Sequence, residues 1–284
     1  MKAYVLFTSH RVEFLEHFES EAMKYDVIVL EEPKNDRLFE YFDGKITRDE
    51  YVKSLDTSFP HYTLLHLELL RRLHKKGKKI LQIEPYLEKL NKIYELIEKG
   101  EVGGDPVVRE VERKVTRAWI EYQEAFMKKD FDELVEKTIE YTKVDAERFK
   151  VRDEMRAEKI VELDGEVLVE AGQIHILLPI FLMERGCEVL TKSIPNEIAK
   201  NLGYEWSFNP GSELTKKYML NEDVKDEKLI AARALIYISM ISKKEILPSE
   251  KEKYPHLMDE IKVVSFVNKL NYNDCKKLFE KIWH

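Results

Sequence analysis

Short apolar runs that are rich in β-branched residues recur along the chain and predict five buried strands. The predicted strands cover residues 3–8, 27–30, 79–83, 167–169 and 188–191. Stretches with the apolar spacing of amphipathic helices separate these strands. Strands that alternate with helices form parallel sheets with helices on their faces. We therefore predict an α/β fold built on a central, mainly parallel sheet flanked by helices.

Two long helical segments extend this alternating pattern. A strongly charged stretch, residues 107–161, lies between the third and fourth predicted strands and is long enough for two or three helices. Beyond Pro195 the order of elements changes and only helices are predicted. We therefore predict a core over residues 1–210, which includes the helical insertion at about 107–161, and a helical C-terminal region over residues 211–284.

Composition and charge exclude several classes of protein. With 44% hydrophobic and 36% charged residues, the chain is typical of a compact, helix-rich protein, and its interspersed charges are typical of thermophile surfaces. The net charge of -7 and the lack of a long basic stripe argue against nucleic acid as the main partner. The longest apolar run, residues 229–241, is too short to span a bilayer and contains Arg233.

The same features predict where the protein works. Its two cysteines stand far apart in sequence, which is typical of a reducing compartment. The first predicted strand starts at once and leaves no room for a signal peptide. We expect a soluble, cytoplasmic protein. The long charged helices and the aromatic residues of the last third would suit a homodimer, although nothing in the pattern requires one.

Chemically active side chains follow four of the predicted strands at their carboxyl ends. His10 follows the first strand, Glu31 and Glu32 the second, Glu84 the third, and His175 lies in the turn after the fourth. Because the carboxyl ends of parallel strands meet at one edge of a sheet, we expect these side chains to converge. Polar residues are also common at strand ends because strands lead into solvent-exposed loops. Each position alone therefore favours that simpler explanation, whereas the set of four favours a site.

Imidazoles and carboxylates at one edge suit two kinds of chemistry. They could coordinate a divalent ion, or pair to activate a water molecule. Gly172, three residues before His175, permits a close approach of the backbone to a ligand. The chain contains neither a G-x-G-x-x-G nor a Walker sequence, so neither a dinucleotide site nor a P-loop is indicated.

Several stretches in this order resemble the TraB/PrgY family. They are His10 after the first strand, VIVLEEP, RDEMRAEKI and AGQIHILLPIFLMERG. Relatives of that family include the TIKI metalloproteases and, more distantly, the erythromycin esterases and the ChaN-like haem-associated proteins. Residues 39–85 are more similar to the ChaN-like branch. The resemblance covers most of residues 1–190 and does not extend to the C-terminal helices.

The resemblance implies particular metal ligands. The paired G-x-x-H motifs of the family correspond to His10 and to Gly172 with His175, and its acid corresponds to Glu31 or Glu32. These groups would hold a divalent ion such as Mn²⁺, Co²⁺ or Zn²⁺. In the first motif Phe7 replaces the expected glycine, which puts the close backbone approach there in doubt.

Catalytic roles follow from the strand-end set and from the resemblance. Glu84, at its strand end, would share the metal or take a proton, and the resemblance implies that the arginine of the R-D-x-x-M segment corresponds to Arg152. Arg152 would stabilise an oxyanion or bind a substrate carboxylate. We therefore expect a metal-dependent hydrolase of the peptidase or esterase type, acting on a small molecule or a peptide. Without a metal, the same histidines and glutamates would serve as general base and orienter.

Two alternatives stay open. The protein could be a non-catalytic binding or regulatory protein that uses the same cleft. The ChaN-like relatives then imply haem, the TraB/PrgY relatives imply control of a peptide signal, and His61, His66, Tyr62 and Tyr86 would matter more than the glutamates. The second alternative is a scaffold with a decayed site, with which the loss of glycine at Phe7 is consistent.

Overall fold

The α/β fold is confirmed by a computed structural model, which describes residues 1–53, 55, 57 and 59–283. His284, the last residue of the predicted C-terminal region, lies outside the described residues. Five strands form one sheet in the order β3-β2-β4-β1-β5, and every neighbouring pair is parallel. The strands are β1 (Lys2–Thr8), β2 (Val27–Leu30), β3 (Lys79–Gln82), β4 (Glu166–Gly172) and β5 (Glu188–Ser193).

Helices connect the strands and make up the rest of the regular structure. Those before β4 are α1 (Leu15–Ala22), α2 (Arg37–Phe42), α3 (Arg48–Val52), α4 (Pro60–Lys75), α5 (Pro85–Glu98), α6 (Pro106–Lys128) and α7 (Phe131–Ile160). Those after β4 are α8 (Leu178–Glu184), α9 (Ile194–Asn201), α10 (Pro210–Met219), α11 (Glu227–Met240), α12 (Pro255–Val267) and α13 (Tyr272–Trp283). Within the described residues, no helix has both the length and the apolar composition that crossing a membrane would require.

The chain divides into two compact units. The first unit contains the whole sheet and consists of Met1–Glu88, Glu154–Gly203 and Lys243–Leu257. The second unit is helical and consists of Lys89–Asp153, Tyr204–Ser242 and the chain from Met258 onward. Most of the predicted insertion and most of the predicted C-terminal region therefore belong to the same helical unit.

The sheet of the first unit has a continuous apolar core. Val5 of β1, Val29 of β2 and Val169 of β4 are fully buried, and they pack in one cluster with Ala157 of α7 and Leu178 of α8. These strands read as near-continuous apolar runs because a parallel sheet is covered on both faces.

The register places the carboxyl ends of the strands at one edge. Thr8 at the end of β1 lies opposite Gly172 at the end of β4, and Leu30 at the end of β2 lies opposite Gln82 of β3. The residues that follow these positions therefore leave the sheet side by side. This is the convergence that the parallel order predicts.

The turn after β4 covers residues 173–177, because β4 ends at Gly172 and α8 starts at Leu178. Pro179 lies in the first turn of α8, where proline is tolerated because that N–H has no helical partner. His175 therefore lies in the connecting turn, where its backbone N–H donates to the Gly172 carbonyl at 3.1 Å.

Local capping signals in the sequence are also present in the structure. Thr47 and Glu50 form the two reciprocal bonds of a capping box at the start of α3. The helical stretch predicted over residues 107–161 consists of two helices, α6 and α7. Asp105 caps α6 by accepting the backbone N–H groups of Val107 and Val108.

Candidate functional site

The Glu31 carboxylate, just past the end of β2, connects two strands at the sheet edge. One of its oxygens, Oε1, lies 2.7 Å from His175 Nε2. The other, Oε2, accepts a hydrogen bond of 2.6 Å from the backbone N–H of Gly172. The His175 side chain is 1% exposed and that of Glu31 is 11% exposed. The contact ties the end of β2 to the turn after β4 in a site from which most water is excluded.

A buried arginine, Arg156 near the end of α7, joins three strand ends. Its Nε donates to the Ile83 carbonyl at 3.0 Å, and its Nη2 donates to the Glu170 carbonyl at 2.9 Å. Its Nε lies 3.4 Å from Glu84 Oε2, and its Nη1 lies 3.8 Å from Glu31 Oε2. Arg156 and Glu84 are both fully buried. The guanidinium thus supplies the positive charge that buried carboxylates need for their burial to be tolerated.

A second carboxyl beside this arginine is protonated at neutral pH. Glu170 of β4 is 2% exposed, and burial raises its pKa to about 8. The nearby carboxylates of Glu32 and Glu31 raise this pKa further, while Arg156 opposes the change. The proton on Glu170 reduces the net negative charge of the sheet edge.

A cavity of about 230 Å³ opens at the same edge, and Glu32 lies on its wall. Burial raises the pKa of Glu32, against a hydrogen bond of 2.9 Å that Gln82 Nε2 donates to Glu32 Oε2. His10 also lines the cavity, and its charge favours the ionised form of Glu32. The His10 ring stacks on the Tyr62 ring with 5.3 Å between centroids. The cavity therefore presents a carboxyl, an imidazole and a phenol to whatever enters it.

The structure separates the candidate residues into two groups. Glu31, Glu84 and His175 belong to the buried network around Arg156. Glu32 and His10 line the cavity instead. The expected catalytic glutamates and metal-ligating histidines thus share one sheet edge but have different surroundings.

The arginine of the network is Arg156, whereas the resemblance implied Arg152. Arg152 belongs to the second unit, and its guanidinium carbon lies 5.5 Å from the centre of the Phe149 ring. Arg156 lies one helical turn later. Arg156 shares a helix face with the buried Ile160.

Two further residues of the site were not among the expected ones. Glu170 is a carboxylate inside an otherwise apolar strand, and a buried polar residue of this kind is the informative exception to the hydrophobic pattern. Gln82, which holds Glu32, ends β3 and follows the same strand-end rule as the expected residues.

The expected metal ligands do not come together as one group. Among the residues that the structure describes, no three His, Cys, Asp or Glu side chains form a group that could hold a metal ion. His10 stacks on Tyr62, and His175 Nε2 is bound to Glu31. This arrangement of donors does not fit a metal centre, and no catalytic step is derived through one.

The two arginines of α7 give a matched test of the network. Replacing Arg156 with Met should lower the free energy of unfolding by roughly 3–5 kcal/mol, because buried carboxylates lose their counter-charge. Arg152→Met should cost less, about 1 kcal/mol, because Arg152 is only partly buried. Urea unfolding of both variants measures the difference. Adding Glu84→Gln to Arg156→Met should restore part of the loss, and equal midpoints for the two single variants would contradict this account.

Comparison with known proteins gives one informative match. No family model matches the chain, and no solved structure matches it. A protein of Archaeoglobus fulgidus described as "Uncharacterized protein" is 43% identical over 279 residues, and the match covers 98% of each chain. Identity at this level over both full lengths means that the two proteins share ancestry and fold. The chain therefore belongs to the same family as this archaeal protein.

Proposed function

We propose that the protein is a hydrolase whose reaction takes place in the cavity lined by Glu32 and His10. The observation that carries this proposal is a carboxyl of raised pKa on a cavity wall, electrostatically coupled to an imidazole. Paired acids and bases whose surroundings shift their pKa values are typical of hydrolytic sites. The position of the cavity, at the carboxyl edge of a parallel sheet, is where such folds bind their ligands.

In the proposed reaction Glu32 is the general base. Its raised pKa makes the ionised carboxylate a stronger base than an exposed glutamate. Glu32 takes a proton from a water molecule as the water oxygen attacks the acyl carbon of an ester or amide. Protonated His10 then gives its proton to the leaving alcohol or amine as the bond to the acyl carbon breaks. Transfer of the proton from Glu32 to His10 restores both groups.

Tyr62 is suited to stabilise the tetrahedral intermediate. Burial raises the pKa of Tyr62 well above its ordinary value, and the carboxylates of Glu32 and Glu31 add to this shift. The phenol therefore keeps its proton and can donate a hydrogen bond to the developing oxyanion. A donor in a water-poor site contributes more to such stabilisation than it would in water.

Other groups hold the base in position. Gln82 Nε2 donates to Glu32, and Gln82 Oε1 accepts a hydrogen bond of 3.0 Å from the backbone N–H of Asn35. This pair of bonds fixes the orientation of the Glu32 carboxyl. The network of Arg156, Glu31 and His175 acts on the cavity indirectly, because it stabilises the strand ends from which the cavity residues project.

Several finer features of this function stay predictions. They are the choice between ester and peptide substrates, the homodimer and the cytoplasmic location; the metal and the role of Arg152 that the resemblance implies are not used by the proposed reaction. The net charge of -7 supports a function without nucleic acid. The two cysteines, far apart in sequence, support the cytoplasmic location.

A ligand-binding protein without catalysis is the second candidate. It is favoured by the stacked rings of His10, Tyr62 and His66, which follow one another with centroid distances of 5.3 and 5.1 Å. The cavity of about 230 Å³ is smaller than the roughly 300–1,000 Å³ of drug-sized ligand pockets, which favours a small ligand over haem. His61 instead pairs with Glu245 at 3.0 Å, and Tyr86 is fully buried.

The role of Glu32 gives the main test of the hydrolase. Glu32→Gln should lower kcat at least about 100-fold on whichever members of a panel of nitrophenyl esters and peptide anilides the wild type cleaves, because general-base assistance is lost. Glu40→Gln, on the exposed face of α2, is the control and should keep full activity. Full activity of Glu32→Gln, with unchanged folding by circular dichroism, would refute the assignment.

The pH profile supplies an independent readout of the same base. Because Glu32 must be ionised to act and its pKa is raised, activity should be lost on acidification at a pH above the ordinary glutamate value of about 4.3. Gln82→Met removes a hydrogen bond that favours the ionised form, so the acid limb of kcat/KM should move to still higher pH. An unmoved limb would mean that Glu32 is not the titrating base.

Elemental analysis tests the metal dependence that the resemblance implies. The wild type is compared with the His10→Ala, His175→Ala double variant after purification and reconstitution with Mn²⁺, Co²⁺ or Zn²⁺. The arrangement of donors predicts no stoichiometric metal in either protein. Near-stoichiometric metal in the wild type alone would contradict this prediction and favour the metal-dependent mechanism.

A further inference from the structure

A buried histidine on the cavity wall has one ring nitrogen without a hydrogen-bond partner. His66 of α4 is 5% exposed and lines the cavity beside Glu32. Its Nε2 has no partner among the residues that the structure describes. Leaving a buried polar atom unsatisfied costs about 1–3 kcal/mol. A ligand that forms a hydrogen bond to this nitrogen would remove that cost. The unsatisfied nitrogen therefore indicates a position where a ligand binds.

Two aromatic neighbours hold the His66 ring. Tyr62 stacks on one face of the imidazole at 5.1 Å between centroids, and the Phe18 ring lies nearly perpendicular to it at 5.7 Å. These contacts determine the plane of the imidazole. Burial lowers the pKa of His66 to about 3, so the ring is neutral at physiological pH. A neutral imidazole suits a hydroxyl, which can donate to one ring tautomer and accept from the other.

Charge and size restrict the ligand further. Glu32 lines the cavity, and the carboxylate of Glu31 helps to raise the pKa of the Tyr62 phenol on the same wall. The negative charge of these two carboxylates disfavours an anion and favours a neutral or cationic group. The cavity of about 230 Å³ is smaller than the roughly 300–1,000 Å³ of drug-sized ligand pockets, which restricts the ligand to a short chain.

We propose that the cavity binds the leaving portion of the substrate, and that this portion is a short, non-anionic chain with a free hydroxyl that bonds to His66 Nε2. The inference rests on the proposed function and names its substrate class: esters or amides of small polyols or amino alcohols. His66 is then a specificity-determining residue, which discriminates in favour of chains with a second polar group. His66 contacts the bound portion of the substrate and does not contact the reacting atoms.

The binding test uses small alcohols in place of the unidentified substrate, so it needs no turnover. Propane-1,3-diol and 3-aminopropan-1-ol each carry a second polar group, propan-1-ol lacks one, and 3-hydroxypropanoate is an anion. Binding to the wild type is measured by NMR titration. We expect the diol to bind about fivefold more tightly than propan-1-ol, because the diol forms one more hydrogen bond. The anion should bind most weakly of the four.

Variants on one helix separate His66 from general effects. His66→Phe keeps the aromatic packing but removes Nε2, so the diol should lose its advantage over propan-1-ol. His74→Phe, on α4 and stacked on Phe42, is the matched control and should keep the advantage. In the wild type labelled with ¹⁵N-histidine, the diol should shift the His66 Nε2 resonance, and this readout does not depend on the folding of a variant.

The outcomes distinguish this inference from the proposed function. Equal affinities for the diol and propan-1-ol, or an unshifted His66 Nε2 at saturation, would overturn the inference. Hydrolysis that depends on Glu32 would still stand in that case. Preferred binding of the diol without hydrolysis of its esters would support the subsite and refute the hydrolase.

Discussion

The charge balance of the sheet edge depends on the buried guanidinium of Arg156. Its donors satisfy the carbonyls of Ile83 and Glu170, and its charge faces Glu84 and Glu31. One cation does not neutralise the carboxyls at this edge. Burial is the main cause that raises the pKa values of Glu170, Glu32 and Tyr62, and the remaining negative charge raises them further, that of Glu170 to about 8. The reactivity proposed for the cavity is therefore a consequence of burial together with the charge arrangement behind it.

The topology explains why groups so distant in sequence share this environment. In the order β3-β2-β4-β1, strands from both ends of the first unit lie side by side, and all their carboxyl ends point the same way. Glu31 and Gly172 are 141 residues apart in the chain and yet share a hydrogen bond. Each strand end contributes one or two polar groups, and the site exists only once the sheet has formed.

Much of the fold and part of the site could be predicted from the sequence. The strands are local apolar runs, and a parallel order sends their ends to one edge, so the convergence of Glu31, Glu84 and His175 follows from pattern alone. Which arginine joins them does not follow, because Arg152 and Arg156 differ by one helical turn and only tertiary packing decides which is buried. The protonation of Glu170 depends on burial among other carboxyls, which no local pattern records.

The cavity and the metal question were also beyond the sequence. His66 lies on an amphipathic helix, where a histidine is more often a packed or surface residue than a ligand. Its unsatisfied nitrogen depends on how α4 packs beside Glu32. Likewise, the resemblance implies that His10 and His175 are metal ligands, but side-chain directions set by Tyr62 and Glu31 decide whether three donors can meet.

Carboxyl titration by NMR tests the central claim about charge most directly. Protein labelled with ¹³C at the glutamate side-chain carboxyl is titrated as wild type and as Glu170→Gln. The account predicts one carboxyl that titrates at about pH 8 in the wild type and is missing from the variant. It would be contradicted if every glutamate carboxyl in the wild type titrated below about pH 5, near the ordinary value.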